Sequence, residues 1–333
     1  MSDSTVSDPT GLIPLVDLAP WFNGDDEQRR ILAADVDVHL RRCGFLVVVN
    51  HGIDPTVFST LRAECSRFFH LPEGYKSTIT PETDVYRGWI GAGQEANAAT
   101  YGIDTPPDMK ETFAYGVVDL PDESLRTTNP RWYAGNVWPD DPPGFQPAAE
   151  AFWRSSLGLA NELLQLFALA LDLEEDALLD HCRQSTATGT LNWYWPFTQS
   201  APADNQYRIG PHTDFGTLTI LDRQPGMGGL QVLDDDGDWI DAPCVDDSLI
   251  VNTGDMLRQW TNDRWCSNEH RVLPPSAEAP DEELISLVFF HEPDAQTIIS
   301  PLPTCVSEAN PARYQPISAM DYLAEKFAAL EVG

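Results

Sequence analysis

The stretch Tyr207-Arg208-Ile209-Gly210-Pro211-His212-Thr213-Asp214-Phe215-Gly216-Thr217-Leu218-Thr219-Ile220 decides how the rest of the chain is read. It has a strand's pattern and carries a His and an Asp two positions apart. Side chains two apart on a strand share a face, so His212 and Asp214 can reach one metal ion together. A second imidazole follows in Ser267-Asn268-Glu269-His270-Arg271-Val272. Two imidazoles and one carboxylate leave open coordination positions, an arrangement suited to non-heme Fe(II) and O2. Alone, a His-x-Asp pair says little in a chain with 52 acidic residues, and an isolated His is usually structural. The surrounding segments carry the decision.

Outward from this stretch, turn residues separate short apolar runs at 188–194, 206–213, 217–222, 229–233, 238–240, 248–251, 267–272 and 284–291. Gly226, Asp236-Gly237 and Pro274-Pro275 punctuate them. Eight strands in that order suit a double-stranded β-helix, or jelly roll. Before them, 146–171 has helical periodicity (Phe152, Trp153, Leu157, Leu163, Leu164, Phe167) and 174–182 reads as a shorter helix. Helices are also expected over 25–42, stopped by Gly44, over 55–70, and over 318–330, with a buried strand at 45–49. The fold class is mainly β with flanking helices: a jelly-roll core, a long backing helix and an α/β N-terminal region. The expected units are an N-terminal region over 12–120, backing helices over 146–184, the core over 185–295 and a C-terminal helix over 316–331. Residues 1–11 read as a disordered lead-in. Between 73 and 145 periodicity fades, yet the segment holds Tyr86, Arg87, Trp89, Tyr101, Lys110 and Tyr115. That is more aromatic and basic than a linker needs, so 73–118 is expected to form a wall or lid over a substrate.

With 20 basic against 52 acidic residues, the formal charge of −32 argues against nucleic acid or an anionic membrane as partner. The same charge repels anions at long range, so any bound carboxylate needs a local base. Six cysteines (43, 65, 182, 244, 266, 305) include no Cys-x-x-Cys pair and read as reduced thiols. No apolar run is long enough to span a bilayer and the first residues are polar, so the expectation is a soluble, cytoplasmic protein.

Ten short segments resemble, in order, the isopenicillin N synthase-like family of Fe(II)- and 2-oxoglutarate-dependent oxygenases. They are Ile13-Pro14-Leu15-Val16-Asp17-Leu18, Gly44-Phe45 with Val49-Asn50-His51-Gly52-Ile53, Phe68-Phe69-His70-Leu71-Pro72, Arg87-Gly88-Trp89, and Lys110-Glu111-Thr112-Phe113. Then come Leu191-Asn192-Trp193-Tyr194, His212-Thr213-Asp214-Phe215-Gly216, Gly228-Gly229-Leu230-Gln231-Val232, Asn252-Thr253-Gly254-Asp255 and His270-Arg271-Val272. The resemblance implies Fe(II) on His212, Asp214 and His270, with 2-oxoglutarate and O2 in the remaining positions. Halogenating relatives lack the carboxylate, so Asp214 favours hydroxylation, desaturation or ring closure of a small molecule, in specialised metabolism. It also implies that Asn192, Tyr194 and Ser286 line the 2-oxoglutarate pocket, and that His51 is structural. Arg87, Tyr101 and Phe215 are the candidate substrate contacts.

One departure stands out. Where the family has Arg-x-Ser, with the Arg holding the distal carboxylate of 2-oxoglutarate, this chain has Leu284-Ile285-Ser286. A buried carboxylate without a cation is expensive. Strand parity with His212 makes Arg208 the first candidate replacement and Arg223, at the end of the following strand, the second. Two other readings stay open: a 2-oxoglutarate-independent oxidase of the isopenicillin N synthase type, and a non-catalytic metal- or ligand-binding barrel.

Overall fold

A computed structural model describes residues 11–330, apart from 82–84, 99–101, 103–104, 121 and 228. The chain enters through β1 (Leu15–Asp17), a short helix α1 (Ala19–Asn23) and the long helix α2 (Asp26–Arg42). Asp25 begins α2: its carboxylate accepts from the Gln28 amide while the Gln28 side chain accepts from the Asp25 amide, a reciprocal cap. Gly44 ends the turn after α2 at φ +68°, where a Cβ would strike the Cys266 carbonyl, so only glycine lets β2 (Phe45–Val49) begin there. Helix α3 (Pro55–Phe69) starts on the Asp54 cap with Pro at its first position. The short α4 (Glu73–Lys76), β3 (Gly88–Ile90), β4 (Glu111–Tyr115) and α5 (Leu125–Thr128) follow.

The long helix α6 (Phe145–Ala170) leads into β5 (Thr188–Tyr194), β6 (Ile209–His212), β7 (Leu218–Asp222), β8 (Leu230–Leu233), β9 (Trp239–Asp241) and β10 (Leu249–Thr253). Helix α7 (Asp255–Trp260), β11 (His270–Val272), β12 (Leu284–His291), β13 (Ile298–Ile299), β14 (Ile317–Ser318) and α8 (Ala319–Leu330) complete the chain. Two sheets make the core: β1-β2-β10-β7-β12-β5-β4-β3 and β6-β11-β8-β9. Helices α2, α3 and α6 cover the outer face of the large sheet through Val36, Leu40, Phe68, Phe152, Leu163 and Phe167. Between the sheets a second cluster forms around Phe45, Val47, Leu230, Val232 and Ile250. Covered on both faces, β2 reads as an unbroken apolar run.

All eight expected core strands are present. Two expectations are corrected, and one helix was not foreseen. Segment 174–182 holds only a 3-10 turn over Leu179–His181. The aperiodic segment 73–145 contributes β3 and β4, which extend the large sheet beyond β5; their partners lie far away in sequence, so local pattern could not reveal them. Helix α7 is too short to leave a periodic signal. All six cysteines are free thiols, and no helix among the described residues is long and apolar enough to cross a membrane.

Candidate metal centre and oxo-acid pocket

Strand β6 ends at His212, and Asp214 sits in the loop beyond it. Shared strand parity is therefore not what joins them. His212 stands opposite His270 in the β6–β11 ladder, with ring centroids 4.2 Å apart. The Asp214 loop is tied down by α7, whose first amide, of Asp255, donates to the Asp214 carbonyl at 2.8 Å. Each imidazole pairs its Nδ1 with a backbone carbonyl, His212 with Gly210 at 2.8 Å and His270 with Asn268 at 3.1 Å. Both Nε2 atoms then face Asp214 Oδ1, at 3.8 and 3.7 Å. The other carboxylate oxygen is taken: Asp214 Oδ2 accepts from Thr219 Oγ1 at 2.5 Å and Asn252 Nδ2 at 2.6 Å.

Two imidazole nitrogens and one carboxylate oxygen thus converge within 4.8 Å of one another, each held by a bond at its far side. Burial, and then the neighbouring His270, push His212 down to about 4, so it is neutral at pH 7 and its Nε2 lone pair is available to a metal. Burial works to raise Asp214, but His270, His212, Thr219 and Asn252 outweigh it and hold the carboxyl below its usual range. The donor set fits Fe(II).

These residues open into a cavity between the sheets with about 140 Å3 of space for the centre of a water-sized sphere. Asn192, Tyr194 and Ser286 line it together: Ser286 Oγ accepts from Asn192 Nδ2 at 3.3 Å and shares a hydrogen bond with Tyr194 Oη at 3.1 Å. The register explains this, since Ser286 lies opposite Asn192 and Leu284 opposite Tyr194.

Residues 190–293 match the family model of the 2OG-Fe(II) oxygenase superfamily, and residues 13–141 match that of the non-haem dioxygenase in morphine synthesis N-terminal region. Over 294 residues the chain is 35% identical to validamycin A dioxygenase of Streptomyces hygroscopicus subsp. limoneus, covering 88% of this chain and 80% of that protein. This chain belongs to the 2OG-Fe(II) oxygenase superfamily. It is also 31% identical to proline hydroxylase buaE of Petromyces alliaceus, over 90% of this chain and 93% of that one. A full-length Neurospora crassa protein, solved in complex with alpha-KG and thymine, superposes with a TM-score of 0.82 at 27% identity, covering 95% of this chain and 96% of that one. The oxygenase is an Fe(II)- and 2-oxoglutarate-dependent dioxygenase, and its co-substrates are 2-oxoglutarate and O2. The oxidase and non-catalytic alternatives are thereby set aside.

The cation expected from Arg208 is the main correction. His270 pairs with His212 but Val272 pairs with Ile209, so β6 carries one residue too many between the two pairs. Pro211 has no amide to give the ladder, and the Gly210 amide leaves it for Asp108 Oδ1 at 3.0 Å. This bulge breaks the parity: Ile209 lines the cavity and Arg208 does not. The guanidinium of Arg208 is fully buried, bonded to the Met227 carbonyl at 3.2 Å and Glu282 at 3.4 Å, with its carbon 5.7 Å from the Tyr194 ring centre.

Arg223 behaves otherwise. Thr219, Leu221 and Arg223 all line the cavity, while Asp222 points away to pair with Arg62 on α3. Asp222 lies opposite Leu287, which sets Arg223, one residue beyond β7, across from Ser286. Its Nη2 donates to the Ala242 carbonyl at 2.5 Å, and its Nε is buried without a partner.

The substrate contacts are less well placed by sequence. Arg87 is 6% exposed, donates to the Tyr86 carbonyl at 2.7 Å, and does not line the cavity. Phe215 packs on α8, against Phe327 at 6.1 Å and Lys326 at 5.3 Å, and does not line it either. Tyr101 lies outside the described residues. From the expected lid, Tyr86, Glu95, Asn97 and Lys110 line the cavity instead; of these, sequence marked only Tyr86 and Lys110, as part of an aromatic and basic segment. Thr219 and Asn252, which orient Asp214, were likewise missed as such, although Asn252 begins a quoted motif.

Proposed function

We propose that His212, Asp214 and His270 hold Fe(II), and that Asn192, Tyr194, Ser286 and Arg223 hold 2-oxoglutarate, for hydroxylation, desaturation or ring closure of a small molecule. The observation that carries this is the paired state of the Asp214 carboxylate: one oxygen is occupied by Thr219 and Asn252, the other faces both free imidazole nitrogens. When bound, Fe(II) lets O2 oxidise 2-oxoglutarate to succinate and CO2 and so supplies the oxidant that removes a substrate hydrogen. The protein's part is positional. Carbonyls of Gly210 and Asn268 fix the imidazole rings, and Thr219 and Asn252 hold Asp214 Oδ2, which would leave Oδ1 for the metal.

Arg223 supplies the charge that Leu284 lacks. Of the two cations that line the cavity among the described residues, Lys110 is paired with Glu95 at 2.7 Å, whereas Arg223 bonds a neutral carbonyl. Its planar fork suits a carboxylate. Thr219, Leu221 and Arg223 from β7 and Ser286 from β12 line one side of the cavity and would hold the oxo acid there. The test is succinate release: the Fe(II) enzyme should form succinate from 2-oxoglutarate with O2 consumption, and substrate oxidation without succinate would overturn the assignment.

A further inference from the structure

Cations are scarce in the cavity, and this bears on the substrate. Glu95 and Asn97, in the loop after β3, line the cavity, and the loop lies against β6 where Ala98 meets Gly210. Glu95 Oε1 accepts from Tyr86 Oη at 2.7 Å, and its Oε2 accepts from Lys110 Nζ at 2.7 Å and Thr112 Oγ1 at 3.1 Å. Asn97 donates to Asp108 Oδ2 at 2.6 Å, and Asp108 in turn pins β6 through the Gly210 amide. The wall therefore presents a carboxylate, an amide and a phenol, with the Lys110 ammonium already paired with Glu95. Burial works to raise Glu95, but Lys110, Tyr86 and Thr112 more than offset it and keep the acid ionised.

We infer that this wall is the substrate-selecting surface and that it takes a neutral or cationic molecule presenting hydroxyl, imide or ammonium donors to Glu95 and Asn97, while rejecting free acids. The inference rests on the assignment of Arg223 to 2-oxoglutarate. With Arg223 engaged there and Lys110 held by Glu95, an acidic substrate would bury its charge without a cation, which is costly. A formal charge of −32 adds long-range repulsion. A donor group meets the opposite situation: Glu95 has three partners, which leaves acceptor capacity on a carboxylate with about four lone-pair sites.

The experiment uses the full chain loaded with Mn(II) and 2-oxoglutarate, which is redox-inert and broadens the proton resonances of any ligand held near the metal. Calorimetric titration of 2-oxoglutarate comes first and reports separately on the oxo-acid site. Three matched pairs are then compared: glucosamine with glucuronate, thymine with 5-carboxyuracil, and tyramine with 4-hydroxyphenylacetate. The first member of at least one pair should be broadened at a concentration about tenfold or more below its acid. Acids binding as well as their partners, or no broadening of any neutral or cationic member, would overturn the inference. Glu95→Gln removes the carboxylate bonded to Lys110, leaving Asp108 as its acidic neighbour, and should shrink or invert the preference. Lys110→Met should move it the other way, excluding acids further, and serves if Glu95→Gln does not fold. A preference unchanged in either variant removes the wall from substrate selection.

Discussion

Replacing Arg223 by Leu probes the departure that sets this chain apart from its family. The substitution keeps apolar bulk and removes a guanidinium that lies across from Ser286 at the far end of the cavity from the metal. Leaving one partner of a desolvated charge pair alone costs about 2–5 kcal/mol. The cavity opens to solvent, so the lower part of that range applies, about 2–3 kcal/mol. At 1.4 kcal/mol per decade this is a rise of roughly 30- to 150-fold in the Kd for 2-oxoglutarate. Calorimetry on the Mn(II) enzyme reads it directly, with metal affinity unchanged because Arg223 touches none of the ligands. Two companions sharpen the result. Arg208→Leu removes a cation already bonded to Glu282 and outside the cavity, so it should lower stability more than oxo-acid affinity. Leu284→Arg placed in the Arg223→Leu background restores a cation at the family position, opposite Tyr194, and should recover much of the lost binding. An Arg223→Leu Kd within threefold of the parent, or a larger loss in Arg208→Leu, would refute the reasoning.

Other expectations follow from the same geometry. Asn252→Ala removes one of the two donors to Asp214 Oδ2, leaving Thr219, and should weaken metal binding about 10- to 100-fold, measured by chelator competition; an unchanged affinity would show that the carboxylate needs no such support. Arg87→Ala should lower Tm while leaving substrate KM near the parent value, because the guanidinium is packed beneath the cavity wall and bonded to the Tyr86 carbonyl; a selective KM effect would return Arg87 to the substrate site. Asp37 on α2 accepts from Arg41, Arg264 and Trp265 at 2.8–2.9 Å. Burial works to raise its pKa, but Arg264, Arg41 and Trp265 prevail and lower it. Its stabilisation is therefore full above the unfolded value of about 3.9 and lost as pH falls through the lower folded value. Denaturation of Asp37→Asn should show a deficit of about 2–4 kcal/mol at pH 7 that narrows only below about pH 4; a deficit independent of pH would contradict the ionic account.

The legible parts of this protein were those encoded locally. Alternating or continuous apolar runs marked β5, β7 and β12, and apolar residues at helical spacing with a Gly44 stop marked α2. The metal triad was readable because a pair of imidazoles and a carboxylate in the right segments is rare chemistry, although β6 ends before Asp214 and the joining element is α7. What stayed hidden depended on register. A single extra residue at Gly210-Pro211 turned Arg208 out of the cavity, and no pattern in the sequence announces a bulge with that consequence. Glu95 and Asn97 were overlooked because their loop has no period, and its placement is set by bonds to Lys110 and Asp108 that only the folded chain brings near. Arg87 and Phe215 showed the reverse: motif neighbours of the site whose side chains pack away from it.

The most direct test of the metal and oxo-acid assignment is an anaerobic titration of the protein with Fe(II) and 2-oxoglutarate, followed in the visible. Chelation of the oxo acid at the His212, Asp214 and His270 site should give a weak charge-transfer band that saturates at one Fe(II) per chain, disappears in His212→Ala and His270→Ala, and bleaches when O2 is admitted with formation of succinate. A protein that binds Fe(II) without developing the band, or a band that survives intact in both histidine variants, would contradict the assignment.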